Sequence, residues 1–255
     1  MDYSVQTQNL SRIYKIRGGK KADPKELKAL TNVNLAIKPG ELFGLLGPNG
    51  AGKTTTINVL CGLLEPTSGS ARVAGYDVRK QGNLVRELIG VSTQETAVYP
   101  HLTGKENIEL FGNLHTMPKE KLKRNVDELL REMSLLDDSG RRVGKYSGGM
   151  MRRINLAIAL VHDPEIAFLD EPTVGMDPQS RRAVWGFIRR LKKLGKTVIL
   201  TTQYMEEAEE LCERVAIIDH GKLIALGAPR ELKDKFNAKN LEEVFIQLTG
   251  RRIRE

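Results

Sequence analysis

Residues 47–54 read GPNGAGKT and decide the fold class of this chain of 255 residues. The stretch fits the phosphate-binding pattern G-x-x-x-x-G-K-[ST]. Residues 41–46 before it predict a buried strand, and residues 55–60 after it predict the start of a helix. This order suits a phosphate chain, because backbone N–H groups and the positive end of the helix dipole both face the anion. The sequence therefore predicts that the protein binds a nucleoside triphosphate.

Particular residues of this loop have predicted roles. Lys53 supplies a cation for the outer phosphates, and the hydroxyl of Thr54 suits Mg²⁺. An ordinary glycine-rich turn is the alternative, but the complete motif between a strand and a helix argues against it. The predicted nucleotide contacts are Gly47, Asn49, Gly50, Gly52, Lys53, Thr54 and Thr55.

A second pattern, IAFLDEPT at residues 166–173, is an apolar strand that ends in two acids and a proline. In phosphate-loop NTPases an acid at such a strand end holds Mg²⁺, so Asp170 is the predicted metal ligand. Glu171 is predicted to orient and deprotonate the attacking water. A strand that merely ends in solvent is the alternative, and the phosphate loop in the same chain makes it the weaker one.

Composition and charge restrict the class of protein. We expect a soluble globular protein, since no stretch approaches the apolar length that crosses a bilayer and the first residues do not resemble a secretion signal. Cys61 and Cys212 predict reduced thiols in a cytosolic protein, and the four histidines lack metal-ligand spacing. The net charge of +8 comes from scattered basic pairs, interpreted as solvated surface, with an anionic membrane surface or nucleic acid as alternatives. These pairs include Arg141-Arg142, Arg152-Arg153, Arg181-Arg182 and Arg189-Arg190.

Along the chain, β-type and helical patterns alternate, which predicts a mostly parallel sheet covered on both faces. A surface loop is expected at residues 17–28, and a frayed tail at residues 251–255. Helices are predicted over residues 103–133 and 151–161. Strands are predicted near residues 3–13, 30–38, 71–73, 89–92, 166–169, 197–201 and 215–219.

Residues 147–149 form a Ser-Gly-Gly turn before a helix, which can present N–H groups and a hydroxyl to an anion. Alone, such a turn is often only a helix cap. The order of phosphate loop, Ser-Gly-Gly turn, Asp-Glu-Pro strand and TVGMDP at residues 173–178 resembles the ATP-binding subunits of ABC transporters over nearly the whole chain. The multidrug and daunorubicin-resistance exporter type is most similar, on the basis of YSGGM (146–150), TTQY (201–204), LEEVF (241–245) and LTGR (248–251).

The resemblance implies an α/β fold: a P-loop NTPase (RecA-like) core with an antiparallel β subdomain and an inserted α-helical subdomain. The ABC ATPase domain would cover residues 1–228, with the helical subdomain at about 95–160. A C-terminal segment would cover residues 229–255.

The resemblance also implies site residues outside the phosphate loop. Gln94 would sense Mg²⁺ and the attacking water and link the core to the helical insertion. Tyr14 would stack on adenine, with Tyr3 or a mere core role for Tyr14 as alternatives. Asp177 would communicate between two sites. Contacts to the γ-phosphate bound by a second copy would come from Ser147, Gly148 and Gly149.

Most cassettes have LSGGQ where this chain has YSGGM (146–150), and two departures from the family pattern bear most on the chemistry. Met150 stands where most members have glutamine, at a position that mainly supports the turn. Gln203 stands where most have a switch histidine. A glutamine amide can donate a hydrogen bond to the γ-phosphate but cannot carry a proton near neutral pH. Because Glu171 remains as the base, we expect an active ATPase with Gln203 and Gln94 assisting it.

The resemblance implies an ATP-hydrolysing subunit of a membrane exporter, at the cytoplasmic face of the cell membrane, with ATP and Mg²⁺ as cofactors. Its partners would be a separate transmembrane permease subunit and a second ATPase cassette, without specific nucleic acid. The cargo would be a drug, a lipid or a polysaccharide-like substrate. The alternatives are a soluble ABC ATPase acting on ribosomes or nucleic acid, a non-hydrolysing nucleotide sensor, and an importer subunit.

Overall fold

A computed structural model describes residues 2–16 and 25–250. Its strands are β1 (Val5–Ile16), β2 (Lys25–Ile37), β3 (Leu42–Leu46), β4 (Ser68–Val73), β5 (Tyr76–Asp77), β6 (Ile89–Ser92), β7 (Ile166–Asp170), β8 (Thr197–Thr202), β9 (Arg214–Asp219) and β10 (Lys222–Gly227). Its α-helices are α1 (Lys53–Leu60), α2 (Gly82–Leu88), α3 (Gly104–Leu114), α4 (Lys119–Glu132), α5 (Gly148–Leu160), α6 (Pro178–Lys193), α7 (Met205–Leu211), α8 (Pro229–Phe236) and α9 (Leu241–Thr249). The chain divides into two compact units, Met1–Arg86 with Thr201–Glu255, and Glu87–Leu200.

The first unit contains both antiparallel and parallel pairing. β1 pairs antiparallel with β2 and with β4, and β4 pairs with β5. β3 pairs parallel with β9, which pairs antiparallel with β10. β3 is buried along its whole length, as expected of an apolar strand covered on both faces. It leads directly into the phosphate loop and α1, so the loop is attached to a rigid element.

The second unit carries the other predicted motifs. β6 pairs parallel with β7, in the register Ile89 to Ile166. Between these two strands the described chain is helical, with α3, α4, a short 3-10 turn (Val143–Lys145) and α5. α4 is amphipathic and buries its leucine and valine face, whereas α5 is buried along most of its length. β7 is fully buried and ends at Asp170.

The predicted α/β fold is confirmed, and the predicted strands have counterparts at similar positions. The helical stretch predicted at 103–133 forms two helices, α3 and α4, and α2, α6, α7, β5 and β10 lie where no single element was predicted. The prediction of a surface loop at 17–28 is wrong for residues 25–28, because these residues belong to β2 and pair with β1. Its remainder, residues 17–24, and the tail at 251–255 lie outside the described residues. The predicted segment after residue 228 forms α8 and α9, where Lys233 contacts Glu209 of α7 at 3.2 Å. The division into a domain and a C-terminal segment stays a prediction.

Candidate nucleotide site

The backbone conformation of the phosphate loop is fixed by the strands around it. Gly50 and Gly52 have φ of +77° and +106°, which favours glycine at both positions. A Cβ on Gly52 would lie 2.6 Å from the carbonyl oxygen of Ala29 on β2. At the other end of the loop, the N–H of Gly47 donates to the carbonyl of Thr202 at 3.3 Å. The loop is therefore held in one conformation between β2 and the end of β8.

The first turn of α1 is suited to an anion. Its N-cap is Gly52, so no side chain caps the N–H groups of that turn. The ammonium of Lys53 is buried and lies over the loop, 2.7 Å from the carbonyl oxygen of Gly47 and 3.2 Å from that of Pro48. Uncapped N–H groups and a buried cation form the arrangement that binds a phosphate chain.

Gln203 directly follows Thr202, whose carbonyl accepts the N–H of Gly47 in the phosphate loop. Its side-chain Oε1 is buried and has no hydrogen-bond partner among the described residues. The oxygen and nitrogen of an amide can exchange places by rotation, so Gln203 has hydrogen-bonding capacity to spare for a ligand. This is the property that the predicted contact with the γ-phosphate requires.

Of the two tyrosines considered for adenine stacking, Tyr14 lies near the phosphate loop and Tyr3 does not. Tyr14 pairs with Leu27 of β2, close to Ala29 and Leu30, which would contact a Cβ on Gly52 of the phosphate loop. Tyr3 precedes β1 at the opposite end of that ladder, where Val5 pairs with Ile37. Seven residues of strand separate Leu30 from Ile37, about 20 Å.

Arg12 is a neighbour of Tyr14 that the sequence analysis did not single out. Its guanidinium lies over the ring of Tyr14, 4.8 Å from the centroid, and donates to the carbonyl of Glu65 at 2.8 Å. One face of the ring is thereby covered by a cation, which is a favourable contact for an aromatic ring. The hydrogen bond from Arg12 to Glu65 keeps the guanidinium in its position over that ring.

In the second unit, the two predicted acids are both buried. Asp170 is the last residue of β7 and is 2% exposed, and Glu171 is 4% exposed. Glu171 has a φ of +51°, in the left-handed region that non-glycine residues seldom adopt. Such strained backbone persists where the surrounding structure holds it in place, and it is concentrated at active sites. Burial and strain together agree with a catalytic role for Glu171.

Arg152 on α5 bonds the segment around Gln94 and is influenced by the charges of both acids. Its Nη1 donates to the carbonyl of Thr93 at 3.2 Å and to that of Gln94. Burial lowers the pKa of its guanidinium, and the nearby charges of Asp170 and Glu171 oppose that shift. The interpretation of Arg152-Arg153 as solvated surface is therefore wrong for Arg152, which is 7% exposed.

A second residue of α5, Asn155, fixes the same segment. Its amide nitrogen donates to the hydroxyl of Ser92 at 3.0 Å and to the carbonyl of Thr93, and its oxygen accepts the N–H of Ala97. Two polar residues thus attach the segment around Gln94 to α5. Sequence reasoning missed both, although their helical spacing with Leu156 and Ala159 places polar side chains on a buried face of α5.

The Ser-Gly-Gly turn is the N-terminus of α5. Ser147 is the N-cap, and its hydroxyl oxygen accepts the N–H of Met150 at 3.3 Å. The hydroxyl hydrogen remains available to donate to an anion. A Cβ on Gly148 would have no described atom within 4 Å, and one on Gly149 would meet only Ser180 Oγ at 3.8 Å. Packing within the described chain does not require either glycine.

Asp177 begins α6 as its N-cap. Its carboxylate accepts the N–H groups of Gln179 and Ser180, each at 3.0 Å, and the hydroxyl of Ser180 at 2.6 Å. The bonds from Ser180 lower the pKa of Asp177. The side chain therefore orders the start of α6, and its predicted role in communication between sites stays a prediction.

The predicted residues thus fall on both units. The phosphate loop, Tyr14 and Gln203 lie in the first unit, and Gln94, Asp170, Glu171 and the Ser-Gly-Gly turn lie in the second.

Comparisons with known proteins agree with this chemistry. The family model for the ABC transporter matches residues 30–174. The doxorubicin resistance ATP-binding protein DrrA of Mycobacterium tuberculosis is 48% identical over 230 residues, which cover 90% of this chain and 68% of that protein. The linearmycin resistance ATP-binding protein LnrL of Bacillus subtilis is 40% identical, covering 98% of this chain and 76% of that protein.

Among solved structures, the ATP-binding cassette MJ0796 is similar, in a dimeric post-hydrolysis state bound to ADP and Pi. It superposes with a TM-score of 0.80 at 28% identity, covering 88% of this chain and 98% of that one. The family match over more than half of the chain, together with the relatives' similarity, identifies this chain as a member of the ABC transporter family, an ATP-binding and ATP-hydrolysing subunit of the type found in drug-resistance exporters.

Proposed function

We propose that this chain powers a membrane exporter of drug-like substrates, by closing with a second cassette around ATP and reopening after hydrolysis. The observation that carries the proposal is the Ser-Gly-Gly turn. It has a hydroxyl with a spare proton and two glycines that the described packing leaves uncovered. Such a turn leaves room for close approach of a ligand, and we assign that ligand as the ATP held by the second cassette.

Each site residue has a proposed part in hydrolysis. The uncapped turn of α1 and Lys53 would neutralise the phosphates, and Glu171 would accept the proton of the attacking water. The carboxylate of Asp170, the hydroxyl of Thr54 and the side-chain oxygen of Gln94 are the hard oxygen ligands that Mg²⁺ prefers. When bound, Mg²⁺ would supply positive charge to the phosphates of ATP. Gln203 would donate a hydrogen bond to the γ-phosphate.

A membrane partner is the second part of the proposal. No helix among the described residues is both long and apolar enough to cross a bilayer. The relatives are named as ATP-binding proteins of resistance to doxorubicin and linearmycin. We therefore propose a separate transmembrane permease subunit that carries the substrate, with this chain docked at its cytoplasmic face.

The proposed docking surface lies beside Gln94 and α3. Tyr99 is 53% exposed, and Leu114, at the end of α3, is 69% exposed. The side chain of the buried Asn107 bonds both the N–H and the carbonyl of Tyr99, at 2.8 and 3.1 Å. An exposed aromatic ring on a fixed backbone is suited to a protein partner, since little conformational entropy is lost on binding.

The first experiment tests closure around ATP. In the Glu171→Gln variant, hydrolysis should fall about 10²- to 10⁴-fold, since the general base is lost. The ATP-bound state should then accumulate as a dimer in size-exclusion chromatography with ATP and Mg²⁺, but not with ADP. A Glu171→Gln protein that stays monomeric with saturating ATP would refute closure of two copies.

The second experiment tests the membrane partner. Tagged Glu171→Gln protein with ATP should recover a polytopic membrane protein from detergent-solubilised native membranes. Leu114→Lys should reduce that recovery, whereas Leu194→Lys should not, because Leu194 is 62% exposed but follows α6. Recovery of ribosomal proteins or DNA would overturn the exporter proposal. Equal recovery by both lysine variants would overturn only the docking surface.

A further inference from the structure

The turn from Tyr146 to Met150 departs from the common family pattern at both of its ends, and the same side chain contacts both departures. The guanidinium of Arg141 lies over the ring of Tyr146, 5.3 Å from its centroid. Its Nη2 donates to the sulfur of Met150 at 3.2 Å. Arg141 therefore spans the turn from one end to the other.

Arg141 is itself held at three points. Its Nη1 forms an ion pair with Asp138 at 3.3 Å, and its N–H donates to the carbonyl of Asp138 at 2.9 Å. Its own carbonyl accepts the N–H of Gly104, the first residue of α3, at 3.2 Å. Arg141 is thus attached to the start of α3 as well as to the turn.

Tyr146 shares the same anchor. Its hydroxyl donates to the carbonyl of Asp138 at 2.8 Å, and its side chain is buried. A leucine at this position could make no such bond, and a glutamine at position 150 would offer Arg141 an amide in place of a weakly accepting sulfur. Arg141 therefore contacts both of the residues that depart from the family pattern, Tyr146 and Met150.

We propose that Arg141 is a positioning residue for the Ser-Gly-Gly turn, which sets the direction in which Ser147 and the N–H groups of Gly148 and Gly149 face the ATP of a second copy. The inference rests on the proposed function, since it assumes that the turn contacts that ATP. Only a planar guanidinium can stack on Tyr146 and bond Met150 and Asp138 together, so lysine cannot replace it. The side chain of Arg141 is 43% exposed, and the fold should depend little on an ion pair so exposed.

The test uses the Glu171→Gln protein as parent and measures the ATP concentration that gives half-maximal dimerisation. Arg141→Ala should raise that concentration about tenfold, as expected for loss of a cation–π contact and its coupled hydrogen bonds. Arg141→Lys should raise it nearly as much. Arg142→Ala is the matched control, since Arg142 is the neighbouring exposed arginine, and it should leave the concentration unchanged.

Two further measurements distinguish positioning from loss of structure. Binding of a fluorescent ATP analogue to the monomer depends on Lys53 and should be unchanged by Arg141→Ala. In a parent that also carries Tyr146→Leu and Met150→Leu, neither residue offers Arg141 an aromatic ring or an acceptor, so Arg141→Ala should have little further effect.

The possible failures are distinguishable. If the parent stays monomeric, the proposed function fails and the inference fails with it. If the parent dimerises and Arg141→Ala matches Arg142→Ala, only the inference is overturned. Weaker binding of the analogue by the Arg141→Ala monomer would also overturn it, by showing general damage.

Discussion

The phosphate loop and the Ser-Gly-Gly turn are both glycine-rich starts of helices, yet they need glycine for different reasons. In the phosphate loop, Gly52 has positive φ and a Cβ there would clash with the backbone of β2. In the turn, a Cβ on Gly148 would meet open space. Packing within the described chain therefore requires glycine in the phosphate loop but not in the Ser-Gly-Gly turn.

The supports of the two loops differ in the same way. Backbone atoms hold the phosphate loop, through the bond from Gly47 to Thr202 and the contact of Gly52 with Ala29. Side chains hold the turn, through Arg141 and Tyr146. The support of the turn therefore depends on the residue types at these positions, whereas the support of the phosphate loop depends on backbone geometry.

The largest expected effect on stability is that of Gly52→Ala. A positive φ and a backbone oxygen 2.6 Å from the new Cβ should together lower the free energy of unfolding by about 3 kcal/mol. Gly50→Ala is the control, because its φ is also positive but its Cβ would meet open space; it should lose about 1 kcal/mol. Urea unfolding measures both, and equal losses would contradict the role assigned to the contact with β2.

The next largest effect is expected of Lys53→Ala, which should lose affinity for ATP. Removing a charged hydrogen-bond donor to phosphate should weaken binding of ATP with Mg²⁺ about 10- to 100-fold. Lys80→Ala removes an exposed lysine of the same unit and should bind ATP normally. Isothermal titration calorimetry compares the two variants. Normal affinity in Lys53→Ala would show that the phosphates bind elsewhere.

Acid should weaken the unit that carries the turn more than the unit that carries the phosphate loop. His162 and His115 stack with ring centroids 3.8 Å apart in the second unit. Burial, and then the neighbouring His115, lowers the pKa of His162 to about 4, and burial also lowers the pKa of His115. Asp163 opposes the shift of His162, and Lys196 adds to it.

The direction in which stability changes with pH follows from proton binding by the folded and the unfolded chain. Between pH 6.5 and about 4 the unfolded chain binds a proton at position 162 that the folded chain does not, so stability falls as the pH is lowered through that range. With allowance for solvent screening, we expect a loss of about 1 to 2 kcal/mol. Melting temperatures from pH 7 to 4.5 should fall less in His162→Gln than in the wild type. His220→Gln, at an exposed histidine of the first unit, should behave as the wild type, and parallel curves for all three would contradict the prediction.

The smallest expected change in stability is that of Gly148→Ala, within about 0.5 kcal/mol of the parent. ATP affinity of the monomer should also be unchanged, whereas ATP-dependent dimerisation of the Glu171→Gln protein should be lost. Gly186→Ala is the matched control, since a Cβ there would also meet open space, on α6. Dimerisation that survives Gly148→Ala would mean that the open space at the turn is not used by a second copy.

Parts of the site that depend on neighbours in sequence could be predicted directly. The strand, loop and helix around Lys53 follow one another, and the apolar run before Asp170 forms a strand as expected. Arg152 could not be predicted in the same way. Its partners Thr93 and Gln94 are almost sixty residues distant, and its arginine neighbour suggested surface charge.

The sequence by itself determined the α/β class, the phosphate loop and the family, because these depend on residue types at fixed short spacings. The tertiary structure placed Tyr14 rather than Tyr3 near the phosphate loop, since this follows only from the pairing of β1 with β2, and adenine stacking by Tyr14 stays a prediction. It also placed Arg141 against both ends of the Ser-Gly-Gly turn. The physical reason is that a guanidinium on a loop can stack on a ring, bond a sulfur or face solvent, and only folding of the surrounding chain selects among these.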